Sequence, residues 1–139
     1  MTKPRALKTV TAIFLLCAAM AIDSPAQTFT TLHSFDISDG AQPYAGLARD
    51  AAGNLYGTLA YGGRNGLGSV YKLIPRKSGS GPEWATEKIL LNFSGQDGIY
   101  PFGGLILDTA GNLYGTTYYG GYLSDCDYSG CGVIFELTP

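Results

Sequence analysis

Past residue 28 the chain falls into short apolar bursts separated by turn residues, and the same order of bursts occurs twice. Residues 44–50 and 102–108 are brief apolar runs, each closed by an aspartate. Ala-Gly-Asn follows at 52–54 and 110–112, a tight-turn signal leading into the next run. Residues 55–61 and 113–119 are rich in Tyr and Thr, which suit a pleated, half-buried surface. Both end in Gly-Gly. Residues 69–74 and 133–138 alternate with a period of two and stop at Pro75 and Pro139. A fourth run occupies 86–93, and its counterpart is 29–35. No segment after residue 26 carries a helical period, so the pattern predicts strands and turns alone.

The two series are copies of one unit. Residues 32–63 align with 90–121 without a gap, and 18 of the 32 positions are identical. The shared skeleton is L-x-x-F, D-G, P, G-L-x-x-D, A-G-N-L-Y-G-T and Y-G-G. Six extra residues then enter the second copy, after which Gly68–Pro75 resumes the match with Gly132–Pro139. Four antiparallel strands per unit are the sequence form of a propeller blade, so the fold expected is all-β: two four-stranded, blade-like repeats of a β-propeller, at about 29–75 and 86–139. A two-sheet β-sandwich uses the same strands and is the alternative. In the propeller reading the run 29–35 completes the last blade by pairing with 133–138.

The first 26 residues belong to a different pattern. Lys3, Arg5 and Lys8 precede an apolar stretch from Val10 to Ile22, and Ser24-Pro25-Ala26 supplies small residues for a peptidase. This is the layout of a secretory signal peptide, with cleavage expected after Ala26. The apolar stretch is shorter than the roughly 20 residues that a membrane span needs. Residues 27–139 then form the two-repeat domain, secreted, periplasmic or on the cell surface, with no membrane span.

Cleavage removes three of the nine Lys and Arg and one of the eleven Asp and Glu, leaving a net charge of about −4. With no basic run left, nucleic acid is excluded as an expected partner. Cys17 leaves with the signal peptide. Cys126 and Cys131 remain, an even pair five residues apart in a protein bound for an oxidising compartment, and a disulfide is expected between them.

Candidate chemistry is sparse. His33 is the only histidine, with Leu91 in its place in the second copy, and a packed strand residue is the expectation. Asp50 and Asp108 are equivalent in the two repeats, which assigns them to the turn, where Asp side chains bind nearby backbone N–H groups. The second copy's insertion carries the remaining signals. Asp125, Asp127 and Ser129, with Glu136 at the twelfth position, match the spacing of a calcium loop, although Glu136 falls within a predicted strand. The simpler expectation is a solvated acidic hairpin without cofactor. Ten tyrosines are present, and Tyr118, Tyr119, Tyr122 and Tyr128 cluster near the insertion. Exposed tyrosines can stack on sugar rings or anchor a protein partner. Tyr56, Tyr61, Tyr114 and Tyr119 recur in both copies and are assigned to packing, which leaves Tyr122 and Tyr128 as candidate binding residues.

The motif GNLYGT, followed by YGG and then GVIFELTP, resembles the GloVer tandem repeat of exported bacterial proteins, and the resemblance covers residues 29–139. It implies a propeller-like repeat architecture outside the cell and no enzymatic activity. The expectation for function is a non-catalytic binding or structural module of the cell exterior, presenting loops to a protein or glycan. The alternatives are a secreted carbohydrate-active propeller enzyme and a piece of a longer repeat protein. Two blades leave sheet faces to cover, so a homo-oligomer completing a ring is also expected.

Overall fold

A computed structural model describes residues 27–75, 84–122, 124 and 126–139, without the side chains of residues 84–87. The chain divides into two compact units, Met1–Thr30 and Thr31–Pro139. In the first, only residues 27–30 are described, as irregular chain, so the predicted signal peptide lies outside the described residues. The second unit is all-β, with no helix among its described residues. Its strands are β1 (Ala48–Arg49), β2 (Leu55–Leu59), β3 (Ser69–Pro75), β4 (Trp84–Asn92), β5 (Ile106–Leu107), β6 (Leu113–Thr116) and β7 (Ile134–Leu137). They form two antiparallel sheets in sequential order, β1-β2-β3-β4 and β5-β6-β7.

The hairpin that opens each sheet is built by one aspartate. Asp50 accepts hydrogen bonds from the backbone N–H and side-chain amide of Asn54, at 2.8 and 2.6 Å, and from the Tyr56 hydroxyl at 3.0 Å. Asp108 repeats the arrangement with Asn112 and Tyr114. The turn places Gly53 and Gly111 at φ of 87° and 95°, where a Cβ is strained. Gly57 and Gly115 serve a different need. They sit opposite Tyr71 and Phe135 in the ladders, and each ring lies over the glycine. A Cβ on Gly57 would stand 2.5 Å from the Tyr71 hydroxyl oxygen. The motif N-L-Y-G-T thus encodes a turn partner, a core side chain, a tyrosine tied to the turn and a seat for a cross-strand ring.

The sheets meet through unlike faces. Tyr56 and Val70, on one face of the first sheet, join Phe93, Leu105 and Leu113 in a single core, with Leu107, Phe135 and Leu137 packed against it. Those residues of the second sheet lie on the face equivalent to Leu55, Tyr71 and Leu73. In the first sheet that face carries its own cluster of Leu59, Tyr71 and Leu73, with Phe35, Leu55 and Ile89. Thr58 bonds the Gly103 carbonyl across the junction at 3.0 Å. Face-to-face packing of this kind is common to neighbouring blades and to a sandwich.

Three expectations need correction. The runs 44–50 and 102–108 contribute only two strand residues each, because Pro43 and Pro101 set up turns upstream of them. Among the described residues the second sheet has three strands rather than four. Residues 29–35 form no strand; instead Phe35 packs its ring edge-on to Tyr71 at 4.7 Å, drawing its segment onto the first sheet.

Burial works to raise the Asp50 carboxyl, but the bonds from Asn54, Tyr56 and Ala52 outweigh it and hold the group below its ordinary value. The same balance, struck with Asn112, Ala110 and Tyr114, holds Asp108 down. A carboxylate depressed on folding contributes stability that is present above its unfolded pKa, about 3.9, and lost as pH falls through the folded value. Melting temperature should therefore drop as pH is lowered from 5 to 2. Replacing both Asp50 and Asp108 by Asn should flatten that slope, as followed by circular dichroism. Gly57→Ala should separately cost about 1–3 kcal/mol, because the Tyr71 ring must move; denaturant titration measures this.

Candidate binding surface

Gln42 and Tyr100 occupy the same place in the two repeats, and both hold left-handed backbone, with φ of 63° and 56°. For residues other than glycine this conformation is uncommon. Each is followed by proline and then an aromatic residue whose N–H bonds back two positions: Tyr44 to the Gln42 carbonyl and Phe102 to the Tyr100 carbonyl, both at 3.0 Å. These are γ-turns, and the φ of proline suits their central position. The same two carbonyls accept a second bond, from the N–H of Ala60 and of Tyr118 respectively, which ties each turn to the end of its sheet. Pro101 is itself buried, so the second turn is anchored at its apex.

The turns direct Tyr44 and Phe102 outward, where they join a continuous cluster of rings. Phe102 lies 5.8 Å from each of Tyr44, Tyr61 and Tyr118, between ring centroids. Tyr100 lies 4.7 Å from Tyr61, and Tyr118 lies 4.5 Å from Tyr119. Six rings from both repeats thus form one surface. Tyr44 and Tyr118 are 65% and 60% exposed and Phe102 is 37% exposed, while Tyr61, Tyr100 and Tyr119 are half-buried beneath them. The tilted and edge-on contacts are the favoured geometry for aromatic pairs. The Tyr44 hydroxyl donates to the Gln42 side-chain oxygen at 2.6 Å. Contiguous exposed aromatic surface is a candidate contact site.

The insertion forms a separate feature. Cys126 and Cys131 are joined, with Cα atoms 5.4 Å apart. Within this loop Cys126, Asp127 and Tyr128 take successive left-handed conformations, with φ from 49° to 64°. A turn of that hand costs L-residues roughly 1–2 kcal/mol each and needs outside support. Besides the disulfide, the Gly120 N–H bonds the Ser129 carbonyl at 2.9 Å, and the Gly132 N–H bonds the Gly120 carbonyl at 3.2 Å. Tyr122 and Tyr128, both 85% exposed, stand outside the ring cluster.

Asp125 lies outside the described residues, and Asp127 is exposed on the turn. Glu136 is on β7, where its carboxylate accepts a 2.9 Å bond from the Tyr114 hydroxyl. Among the described residues no three His, Cys, Asp or Glu side chains gather as a metal site. His33 stacks edge-on to Phe35 at 4.7 Å, as a packed residue. A cleft of about 510 Å³ opens between the sheets, lined by Lys72, Lys88, Tyr56, Leu113 and Leu137. Lys72 and Lys88 are cross-strand neighbours there, and the Lys72 ammonium sits 5.1 Å from the Tyr56 ring centre.

Sequence reasoning assigned Tyr61 and Tyr119 to packing and did not single out Tyr44, Tyr100 or Phe102. A signal was present: D-G-x-x-P is followed by an aromatic residue in both copies, and a proline turn throws its next side chain outward. Closing the short loop stabilises by about 2 kcal/mol on the loop-entropy model. Cys126→Ser with Cys131→Ser should lower stability by about that much while leaving the far-ultraviolet spectrum unchanged. Thiol titration of the native oxidised domain, residues 27–139, should find no free cysteine.

Comparison with curated proteins and with solved structures found no match. The model of the Gloeobacter/Verrucomicrobia repeat matches residues 18–139, which takes in both copies of the unit and every strand described above. It agrees with the resemblance carried by GNLYGT and YGG. The chain belongs to the Gloeobacter/Verrucomicrobia repeat family.

Proposed function

We propose that this chain is an exported, non-catalytic binding module whose two repeats act as neighbouring propeller blades and whose aromatic surface holds a glycan. The observation that carries the reading is the ring cluster itself, raised by equivalent γ-turns in the two repeats. A structural role alone gives no reason to hold Tyr44 and Phe102 in solvent on turns that each open with a left-handed residue, Gln42 and Tyr100.

The chemistry suits a sugar chain. The C–H face of a pyranose is drawn to the negative face of an aromatic ring, and tyrosine adds a hydroxyl that can bond sugar hydroxyls. Rings at roughly 6 Å spacing along the surface offer contacts to successive units of an extended chain. Aromatic side chains also give large contact area for little lost side-chain freedom. Export is supported by the charged, apolar and small-residue zones of the first 26 residues and by the cysteine pair. No helix among the described residues is long and apolar enough to cross a membrane.

Affinity electrophoresis against a panel of neutral and acidic polysaccharides tests the reading. At least one polysaccharide should retard the domain, and Tyr44→Ala with Phe102→Ala should weaken that retardation about 10-fold or more, a loss of about 1.4 kcal/mol or more. Phe102→Tyr should keep it. An unretarded domain, or equal retardation of the double alanine variant, would sink the proposal. Chain cleavage in the same mixtures would favour the enzyme reading.

A further inference from the structure

The two repeats place equivalent residues in opposite surroundings. Val70 on β3 is fully buried against the second sheet; Ile134, its counterpart on β7, is 84% exposed. Thr58 is buried and Thr116 exposed. On the same face, Ala48 packs against the core, whereas its counterpart Ile106 is 71% exposed. The second sheet thus presents, uncovered, the face that the first sheet uses to bind the second. The edges differ in the same sense. β3 has β4 beside it, but β7 has no partner on its outer side among the described residues.

The segment able to fill that edge is present in the chain. Residues 32–35 are Leu-x-x-Phe, the counterpart of 90–93, which end β4 and run into Phe93. Phe93 is fully buried, edge-on to Phe135 of its own repeat at 5.3 Å. Phe35 takes the equivalent position against Tyr71 of its own repeat at 4.7 Å. Each unit is thus led by an anchored phenylalanine. Upstream of Phe93 the chain pairs with the preceding sheet as β4; upstream of Phe35 residues 31–34 form no strand, and His33 is packed edge-on to Phe35. That segment cannot reach its own β7 while Phe35 stays in place, because Tyr71 faces away from the second sheet.

We propose that a second copy of this chain docks its first repeat on the exposed face of the second repeat, reproducing between chains the junction seen within one. Residues 31–35 of the incoming copy form the fourth strand beside β7, and its Phe35 enters next to Ile134 as Phe93 does next to Val70. The proposal rests on the blade reading of the repeats and is independent of the glycan surface. Since unlike faces join, the contact is heterologous, and it closes as a ring when the rotation per chain allows. Two to four chains would give the four to eight blades of a closed propeller. The β3–β4 register, with Ser69 opposite Asn92 and Val70 opposite Leu91, transfers to Val133 opposite Ser34 and Ile134 opposite His33.

That register supplies the test. Light scattering of the oxidised domain, residues 27–139, at 5–100 µM should give at least twice the mass of one chain. Ile134→Asp, at a site exposed within the single chain, should return the mass to that of one chain while keeping the cooperative melt and any polysaccharide retardation. Ile106→Lys is a second variant for the same face. The double variant Ser34→Cys with Val133→Cys should give dimers or higher species on non-reducing gels that collapse on reduction, well above either single variant. A wild-type monomer across this range, or a Ser34–Val133 link formed within one chain, would overturn the proposal. Loss of self-association with polysaccharide binding intact would leave the function stated above standing.

Discussion

Phe93 sits where the two repeats become one structure. It directly follows β4 of the first sheet and leads into the second repeat, and its fully buried ring shares a core with Val70 and Phe135. The neighbouring core residues depend on that junction. Tyr56 and Val70 lose their exposure only because the second sheet presses on them, and Leu105 and Leu113 lose theirs against the first. A sheet of three or four short strands is marginal unless a face is covered. Here each sheet covers the other, and the sequence continuity through Phe93 makes their mutual concentration effectively high. Phe93→Ala removes a ring from a packed site, a change that typically costs 3–5 kcal/mol.

The same junction accounts for the polarity of the molecule. Because unlike faces meet, two repeats cannot satisfy one another completely: each keeps one outer face, and β7 keeps an edge that no strand among the described residues pairs. In the first repeat the left-over face is engaged by Phe35. In the second it is Ile106, Thr116 and Ile134 that stand in solvent. Exposed apolar faces and unpaired edges are liabilities, which gives a physical reason for them to be met by the complementary face of another repeat.

The aromatic cluster and the disulfide loop sit on this frame without being part of its core. The γ-turns at Pro43 and Pro101 take their rigidity from bonds to Ala60 and Tyr118, at the ends of the sheets, so the rings are held by the fold rather than by each other. The disulfide loop belongs to the second repeat alone and tolerates three left-handed residues because a covalent link and two backbone bonds enclose them. One frame thus carries a surface shared by both repeats and a loop specific to one.

The repeat, its strand-and-turn order, the turn role of Asp50 and Asp108 and the pairing of Cys126 with Cys131 were all legible in the sequence, because each rests on contacts between residues close along the chain. Hairpin turns and short-loop disulfides are local, and an exact spacing states them. Four matters were decided only in three dimensions. Gly57 and Gly115 have no evident purpose inside their strands until Tyr71 and Phe135 are seen above them. Phe35 reads as strand until its ring is found on Tyr71, since a short segment with few ladder bonds follows its best-buried side chain. Tyr61 and Tyr119 read as packing because repetition does not distinguish a face that is covered from one that is shared. Val70 and Ile134 are the plainest case. Two nearly identical side chains at one repeat position are buried and exposed respectively, because burial depends on which neighbour arrives, and a repeat unit carries no record of its neighbours.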